Sequence, residues 1–401
     1  MSTYKIGGRT VRDSDADFSK VVASAHGAPD RPLCLCRDTG IPMYVAKAGN
    51  KFLLKRMPNS GSDHTAACDS YEPPPELSGL GQVLGTAIQE DLEGTTMLKL
   101  DFSLSKSGSR TPPAPSGKET DSVSSEGNKL TLRGMLHFLW EEAGFNRWAP
   151  AMENKRSWYV IRKYLLAAAE SKTAKGAALG ELLYIPESFD LHHKDAINER
   201  RHAHLMRIAA PEKGARKLMI AIGEVKEIGK ARYGMRVVLK HLPDFSFHLD
   251  EETHKKLTKR FESELGLWDA HQGSHLMMVA TFGVSAVGVA NIVEVALMIV
   301  TDNWLPFEDS YEHMVLEKLV GGRRRFMKGL RYNMSSSKPL AVAVLTDIEP
   351  KPHALYITHI GADDQFVEDQ AALIAESDMP SWLWDARAGS MPELPEPTDH
   401  R

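Results

Sequence analysis

Residues 34–68 read CLCRDTGIPMYVAKAGNKFLLKRMPNSGSDHTAAC and contain all three cysteines of the chain. Cys34 and Cys36 open the stretch; His64 and Cys68 close it. Between them, Met43–Lys47 and Lys51–Arg56 are β-prone runs, and Ala48-Gly49-Asn50 reads as a three-residue turn containing glycine. A hairpin of this kind brings the two ends of the stretch together. Side chains two apart on an extended strand share one face. His64 and Cys68, four apart on a helical turn starting at Asp63, share another. Three thiolates and one imidazole then make a Cys3His zinc site. With all four positions filled, no place is left for a reacting water, so the ion is expected to be structural. The alternative is three buried thiols beside a surface histidine, because free cysteine packs as a small hydrophobe. The gathering of every cysteine into one motif favours the metal.

Outward from this stretch, the bulk numbers set limits. The chain of 401 residues is long enough for two or three domains. A hydrophobic content of 42% with 25% charged residues is that of a globular protein. The net charge of −4 excludes a global basic signature for nucleic acid, so any such signal has to be local. The N-terminal residues carry no apolar core of the signal-peptide type, and cysteines confined to one motif argue against a disulfide framework, so the cytoplasm is the expected compartment. His275–Thr301 is the most apolar segment, but His275, Asn291, Glu294 and several β-branched residues make it paired buried strands rather than a membrane span. No membrane partner is expected.

The expected fold class is α+β, with an N-terminal zinc-bound β-hairpin, a central helical pair and a C-terminal mixed α/β region. The segments are 1–104 for the zinc-hairpin domain, 105–129 for a flexible loop rich in Ser, Pro and Gly, and 130–178 for the helical unit. They continue with 179–305 for a mixed α/β domain, 306–375 for a nuclease-like α/β domain and 376–401 for a C-terminal tail. Within the first, Lys5–Val11 reads as one short strand. Leu77-Ser78-Gly79-Leu80-Gly81 looks like a phosphate loop but lacks the Lys-Ser/Thr pair, and is expected to be a turn leading into a helix Val83–Glu90. Met97–Leu104 alternates as a strand. In the helical unit, Leu132, Met135, Leu136 and Leu139 share one apolar face, and Trp158, Ile161 and Leu165 share another. Lys155, Arg156 and Arg162 nearby allow a helix-turn-helix-like phosphate contact, against the alternative of a solvated basic rim. Further on, Leu182–Ile185, Lys217–Ile228, Met235–Leu242, His275–Phe282 and Val289–Val300 read as strands, and Asp250–Leu265 as an amphipathic helix capped by Asp250.

Two patterns in the C-terminal half bear on chemistry. Glu224-Val225-Lys226 has the Glu-x-Lys spacing with which PD-(D/E)XK nucleases set a metal-binding carboxylate beside a lysine. A helix bearing Glu312, a strand, a strand ending at Asp347 and a further strand also follow the element order of that core. The last strand, Leu355–His359, holds neither carboxylate nor lysine, so the region resembles a degenerate, non-catalytic PD-(D/E)XK nuclease core. Glu312, Asp347, Glu224 and Lys226 are the candidate catalytic residues, with Mg2+ or Mn2+ required only if the protein is a nuclease. The second pattern is the basic run Arg323, Arg324, Arg325, Lys328 and Arg331 with Phe326 and Tyr332 interleaved. It is the best local nucleic-acid candidate, joined by Lys55 and Arg56 on the hairpin. Its alternative is a salt-bridged surface facing Glu308, Asp309 and Glu312.

Several strings together resemble a bacterial family catalogued as domain of unknown function 1173. They are Cys34-Leu35-Cys36 with Met43–Ala46, Leu54–Pro58, Leu77–Gly81, Leu136–Trp140 with Phe145–Trp148, Gly223–Glu227 and Arg325–Tyr332. The resemblance spans nearly the whole chain, transfers no catalytic residue, and implies a protein carried on plasmids and conjugative elements. The expected function is a zinc-containing nucleic-acid-binding accessory protein of mobile-element DNA processing, with DNA preferred to RNA as partner. The alternatives are a metal-dependent nuclease and a protein-interaction subunit of a larger assembly.

Overall fold

The computed structural model describes residues 2–48, 51–58, 60–91, 95–106, 127–209 and 215–398. Strands β1 (Thr3–Ile6) and β2 (Arg9–Arg12), helix α1 (Phe18–Ser24), and strands β3 (Leu33–Cys34), β4 (Ile41–Ala48) and β5 (Lys51–Arg56) come first. The five strands form one antiparallel sheet in the order β2-β1-β3-β4-β5, with α1 against β5. The expected β4–β5 hairpin is present, although residues 49–50 of its turn lie outside the described residues. Lys5–Val11 is not one strand. Gly7 and Gly8 take φ of 55° and 79°, the left-handed values a two-residue hairpin turn requires, and split it into β1 and β2.

The helix expected over Val83–Glu90 is absent. Helix α2 (Leu80–Val83) stops after one turn, Gly85 turns with φ 76°, and the chain continues into β6 (Ile88–Glu90) and β7 (Thr96–Leu98). Strand β8 (Ser105–Lys106) ends the segment; most of the predicted loop, 107–126, lies outside the described residues. The glycines of Leu77–Gly81 serve packing. The Gly79 amide donates to Leu330 O at 2.9 Å, and a Cβ on Gly79 would sit 1.9 Å from Arg331 O. Gly79→Ala is therefore expected to lower stability by about 2 kcal/mol or more, read as a lower denaturation midpoint; an unshifted midpoint would contradict the contact.

Helix α3 (Leu132–Glu142), β9 (Arg147–Trp148) and α4 (Trp158–Ala169) follow. The two helices occur where the apolar periodicity put them, but not as a helix-turn-helix. Every residue from Leu132 to Trp140 is buried, because α3 packs between α4 and the central sheet and has no free face for a groove. Arg156 and Arg162 spend their guanidinium groups on backbone carbonyls, Arg156 on Phe145 and Asn303 at 3.0 Å each and Arg162 on Ile185 at 3.0 Å. Strands β10 (Lys172–Ala174) and β11 (Ala177–Ala178) extend a small sheet in the order β11-β10-β7-β6. Helix α5 (Leu179–Leu182), β12 (Leu183–Tyr184), α6 (Lys194–Met206) and β13 (Arg216–Lys217), which pairs with β8, complete the middle of the chain.

Residues 219–300 form the central sheet. Its elements are β14 (Met219–Lys230), β15 (Met235–Leu239), β16 (Ser246–Leu249), α7 (Glu251–Arg260), α8 (Glu262–Ala270), β17 (His275–Val284) and β18 (Ala290–Val300). Strand β12 joins the sheet in parallel beside β14. Asp250 caps α7 through Thr253 N at 2.7 Å, as its sequence position predicts. The amphipathic pattern is broken at Phe261, where φ is −114°, so one expected helix becomes two. β14 pairs with β17 through its first half and with β15 through its second, which closes a ring in the order β14-β15-β16-β18-β17.

The last unit runs α9 (Ser310–Gly321), β19 (Phe326–Lys328), β20 (Ala343–Leu345), β21 (His353–Thr358), α10 (Asp364–Glu376) and β22 (Ser381–Asp385). β19, β20 and β21 form an antiparallel meander, β22 adds parallel to β21, and β9 adds at the far edge beside β19. The segment expected as a tail, 376–401, contributes β22 and is held to the body through residue 398. The Trp382 and Trp384 indoles donate to Glu393 O and Gly389 O, and Thr398 N donates to Asp347 O at 3.0 Å. The main hydrophobic core draws on residues from Val83 to Trp384. A second core holds Tyr4, Ile6, Val11, Val22, Cys34, Met43, Cys68 and Tyr71, and includes Met327 of β19, which seats the N-terminal sheet on the last one. Among the described residues, no helix is long and apolar enough to cross a membrane.

Candidate metal centre

The four predicted ligands converge. Cys34 ends β3, Cys36 lies in the turn after it, and His64 and Cys68 lie beyond β5 in irregular turns. Neither pair has the local geometry the sequence suggests. Only a three-residue 3-10 turn, Gly61–Asp63, precedes His64, whose backbone is extended, and Cys36 has already left the strand. What brings the pairs together is the β4–β5 hairpin, tied further by Arg37 Nε donating to Asp63 O at 2.5 Å.

All four ligand atoms lie within 4.8 Å of one another. Cys34 Sγ and Cys68 Sγ are 3.7 Å apart, and His64 Nδ1 is 3.4 Å from Cys36 Sγ and 3.6 Å from Cys68 Sγ. Sulfurs about 2.3 Å and a nitrogen about 2.1 Å from a tetrahedral centre have edges of roughly 3.8 Å for S···S and 3.6 Å for S···N. These three separations match the edges of a tetrahedral zinc set, and the four residues can hold a metal ion. The Ser70 amide donates to Cys68 Sγ at 3.4 Å. The hydrogen bond from Cys34, the Ser70 amide and His64 together pull the Cys68 thiol down, against the effect of burial; the same bond with Cys68, then burial, push Cys34 up. The apo cluster thus favours one thiolate, and a cation draws out the others. His64 Nε2 is buried without a hydrogen-bond partner among the described residues, consistent with Nδ1 as the ligating atom.

The other predicted site residues are dispersed. Among the described residues, the cysteine–histidine group is where three or more ligand-type side chains converge, and none of Glu312, Asp347 and Glu224 belongs to it. Asp347 accepts from Arg324 Nε and Nη2 at 2.8 Å each and from Arg325 N at 2.9 Å. Glu312 is buried against Lys328 Nζ at 3.2 Å; burial, with the Glu308 and Asp309 charges, outweighs that lysine and raises its carboxyl. Glu224 does not meet Lys226. A bulge between Val225 and Glu227 turns Lys226 to solvent, and Glu224 instead accepts from His275 Nδ1 at 2.7 Å and Lys240 Nζ at 2.8 Å.

The basic run is not a surface stripe. Arg324, Lys328 and Arg331 are buried, paired with Asp347, Glu312 and Glu308 respectively; Lys328 lies on β19, an interior strand between β9 and β20, and the two arginines flank it. Cations held this way have no face left for phosphate. Arg325 is half-buried, and Arg323 alone of the five is exposed, 3.2 Å from Glu153. On the hairpin, Arg56 pairs with Glu72, and Lys55 is half-buried with its Nζ 3.5 Å from Ser171 Oγ.

Lys55 and Arg56 face a cleft of about 930 Å³ between the hairpin and the end of α3, which the sequence reading missed. Its far wall carries Glu141 and Glu142 beside Lys172 and Tyr332. Their adjacency at the end of an apolar helix was visible, but not what they would face. Burial, then the Glu72 charge, raises Glu141 to about 7 although Tyr332 Oη donates to it at 2.5 Å. A folded-state value above the unfolded one means that the contribution is complete below about pH 4.5 and is lost as pH rises through 7. Stability of the wild type is expected to fall across that window by on the order of 1–2 kcal/mol, since Glu141 is only half-buried and solvent screens part of the penalty. Glu141→Gln should flatten the dependence in urea titrations; an unchanged slope would assign it elsewhere.

The model of a family described as proteins of unknown function, DUF1173, matches residues 4–387. The chain belongs to that family. No curated protein and no solved structure matches it.

Proposed function

We propose that this DUF1173 protein is a non-catalytic nucleic-acid-binding protein of DNA processing, with a structural zinc bracing its N-terminal sheet. The observation that supports this reading is the last unit. Helix α9, the meander β19-β20-β21, helix α10 and parallel strand β22 follow one another in the order of a PD-(D/E)XK nuclease core. The positions that would carry metal-binding carboxylates are spent differently: Glu312 on Lys328, Asp347 on Arg324, and β21 on apolar residues and Thr358. Such a unit keeps a nucleic-acid scaffold and lacks the means to cut. DNA as the partner, and a place in mobile-element DNA processing, are the finer parts of the proposal and rest on the family resemblance.

The test is incubation of the intact protein with single- and double-stranded DNA in Mg2+ or Mn2+, with binding followed in parallel at two salt concentrations. Intact DNA and binding that weakens steeply with salt are expected, because phosphate contacts release counterions. Cleavage abolished by Glu312→Ala would establish the nuclease alternative, drawing on the cleft of about 310 Å³ that Asp309, Glu312 and His359 line. Absence of any binding would leave the protein-interaction alternative.

A further inference from the structure

We propose that the strand ring of residues 219–300 binds single-stranded nucleic acid across the outer face of β15 and β16. This rests on the nucleic-acid reading above and gives it a location, in place of the buried basic run.

The ring's connectivity comes first. A long strand, β14, is shared between two neighbours and bends at the Val225/Glu227 bulge. β15 and β16 complete an antiparallel meander, and α7 and α8 are inserted before the hairpin β17–β18. The last strand, β18, then lies parallel to the third, β16. This is the Greek-key order of the five-stranded OB barrel, whose second and third strands, with the loops after the first and fourth, take oligonucleotides or oligosaccharides. Topology alone assigns no ligand, so the side chains have to.

Helices α3 and α8 cover β17 and β18. The outer face of β15 and β16 carries half-exposed Arg236, Ser246 and His248. Register sets Gly229, Arg236, His248 and Asn291 side by side in one row across β14, β15, β16 and β18. The row is three strand spacings wide, roughly 14 Å, the length of a few extended nucleotides. A loop adjoins each end of the row, the β14–β15 loop beside Gly229 and the β17–β18 loop beside Asn291. The β14–β15 loop presents Tyr233, 79% exposed, with the Arg232 guanidinium 5.4 Å from its ring centre. The β17–β18 loop presents Val287, 85% exposed.

Charge selects between the two ligand classes. From Lys226 to Arg236 the sequence holds Lys226, Lys230, Arg232 and Arg236 against Glu227 alone. Glu227 occupies Arg236 at 3.3 Å; Lys226, Lys230 and Arg232 form no ion pair among the described residues. An exposed aromatic ring among unpaired cations stacks a base and holds the phosphates on either side of it. A neutral oligosaccharide has no use for the cations. The protein's net charge of −4 makes this local surplus the more specific.

The test uses the full chain and a fluorescein-labelled oligothymidylate, followed by anisotropy. Tyr233→Ala is expected to weaken binding roughly tenfold. Lys230→Ala combined with Arg232→Ala should lower the slope of log affinity against log salt by about one to two. Tyr159→Ala, at a tyrosine also exposed, on α4 at 66%, serves as the control and should change nothing. Tyr233 is a loop residue in solvent, so its variant should melt with the wild type. Wild-type binding that all these variants retain would overturn the barrel site and leave the general nucleic-acid reading standing. A wild type that binds neither single strands nor duplex would overturn both, and salt-independent capture of an oligosaccharide instead would reassign the face.

Discussion

Chelating the metal, or replacing Cys68 by serine, is expected to melt the N-terminal sheet while the ring and the last sheet stay folded. The sheet's own core is small. Two of its members, Cys34 and Cys68, are candidate ligands, the turn joining β3 to β4 carries Cys36, and a turn beyond β5 carries His64. Without an ion, those turns keep only contacts such as the Arg37–Asp63 hydrogen bond and a thiol pair that has to share a proton. Structural zinc contributes apparent binding energies on the order of 10 kcal/mol to small metal-clamped units, and that energy is folding energy. The main core, from Val83 to Trp384, includes no ligand and should not feel the loss. Hydrogen exchange read by mass spectrometry should show deprotection of Thr3–Arg12 and Ile41–Ala48 on adding chelator, alongside release of one zinc per chain. Uniform protection with and without chelator, or protein purified without chelator that carries no zinc, would remove the metal from the account.

The second large effect is expected at Arg324 and Asp347. Their side chains are 7% and 3% exposed, the guanidinium meets both carboxylate oxygens, and Asp347 also accepts from Arg325 N. Arg324 Nη1 further donates to Pro395 O at 2.6 Å, which pins the terminal segment. Truncating one partner strands the other as a buried, unpaired charge, at a cost of about 3–5 kcal/mol. Either Arg324→Ala or Asp347→Ala should therefore lower the denaturation midpoint steeply, and the double variant should be less damaging than the sum of the two. The same Arg324→Ala protein, where still folded, should bind nucleic acid as the wild type does. A loss of affinity at unchanged stability would return the basic run to the phosphate-binding role its spacing suggests.

Much of the secondary structure was legible because it depends on patterns within a few residues. The Asp250 cap, the apolar faces of α3 and α4 and the β-branched runs of β14, β17 and β18 are local statements, and the structure has them within a few positions. The failures have a common cause. Val83–Glu90 is helical by composition, yet Gly85 and the partner strand β7 draw it into a hairpin. Arg323–Arg331 left open a phosphate-binding stripe or a salt-bridged set facing Glu308 and Glu312, and the structure pairs Lys328 and Arg331 with those carboxylates but buries them around an interior strand. The 376–401 segment reads as a tail, yet it supplies strand β22 and backbone hydrogen bonds hold it as far as residue 398. Hydropathy separates charge from apolar surface, but it cannot say whether a cation's partner is water or a carboxylate far along the chain.

The metal centre divides along the same line. From the sequence alone came the four candidate ligands, because thiol and imidazole chemistry belongs to the side chains themselves and the hairpin between the two pairs is a local fold. Only the tertiary structure decided that both pairs sit in irregular turns, and that Met327 of a distant strand completes their core. It also decided that β14, β15, β16, β18 and β17 close into a ring. Ring closure depends on which strands pair across tens of residues, and that is set by how the whole core packs rather than by any single stretch.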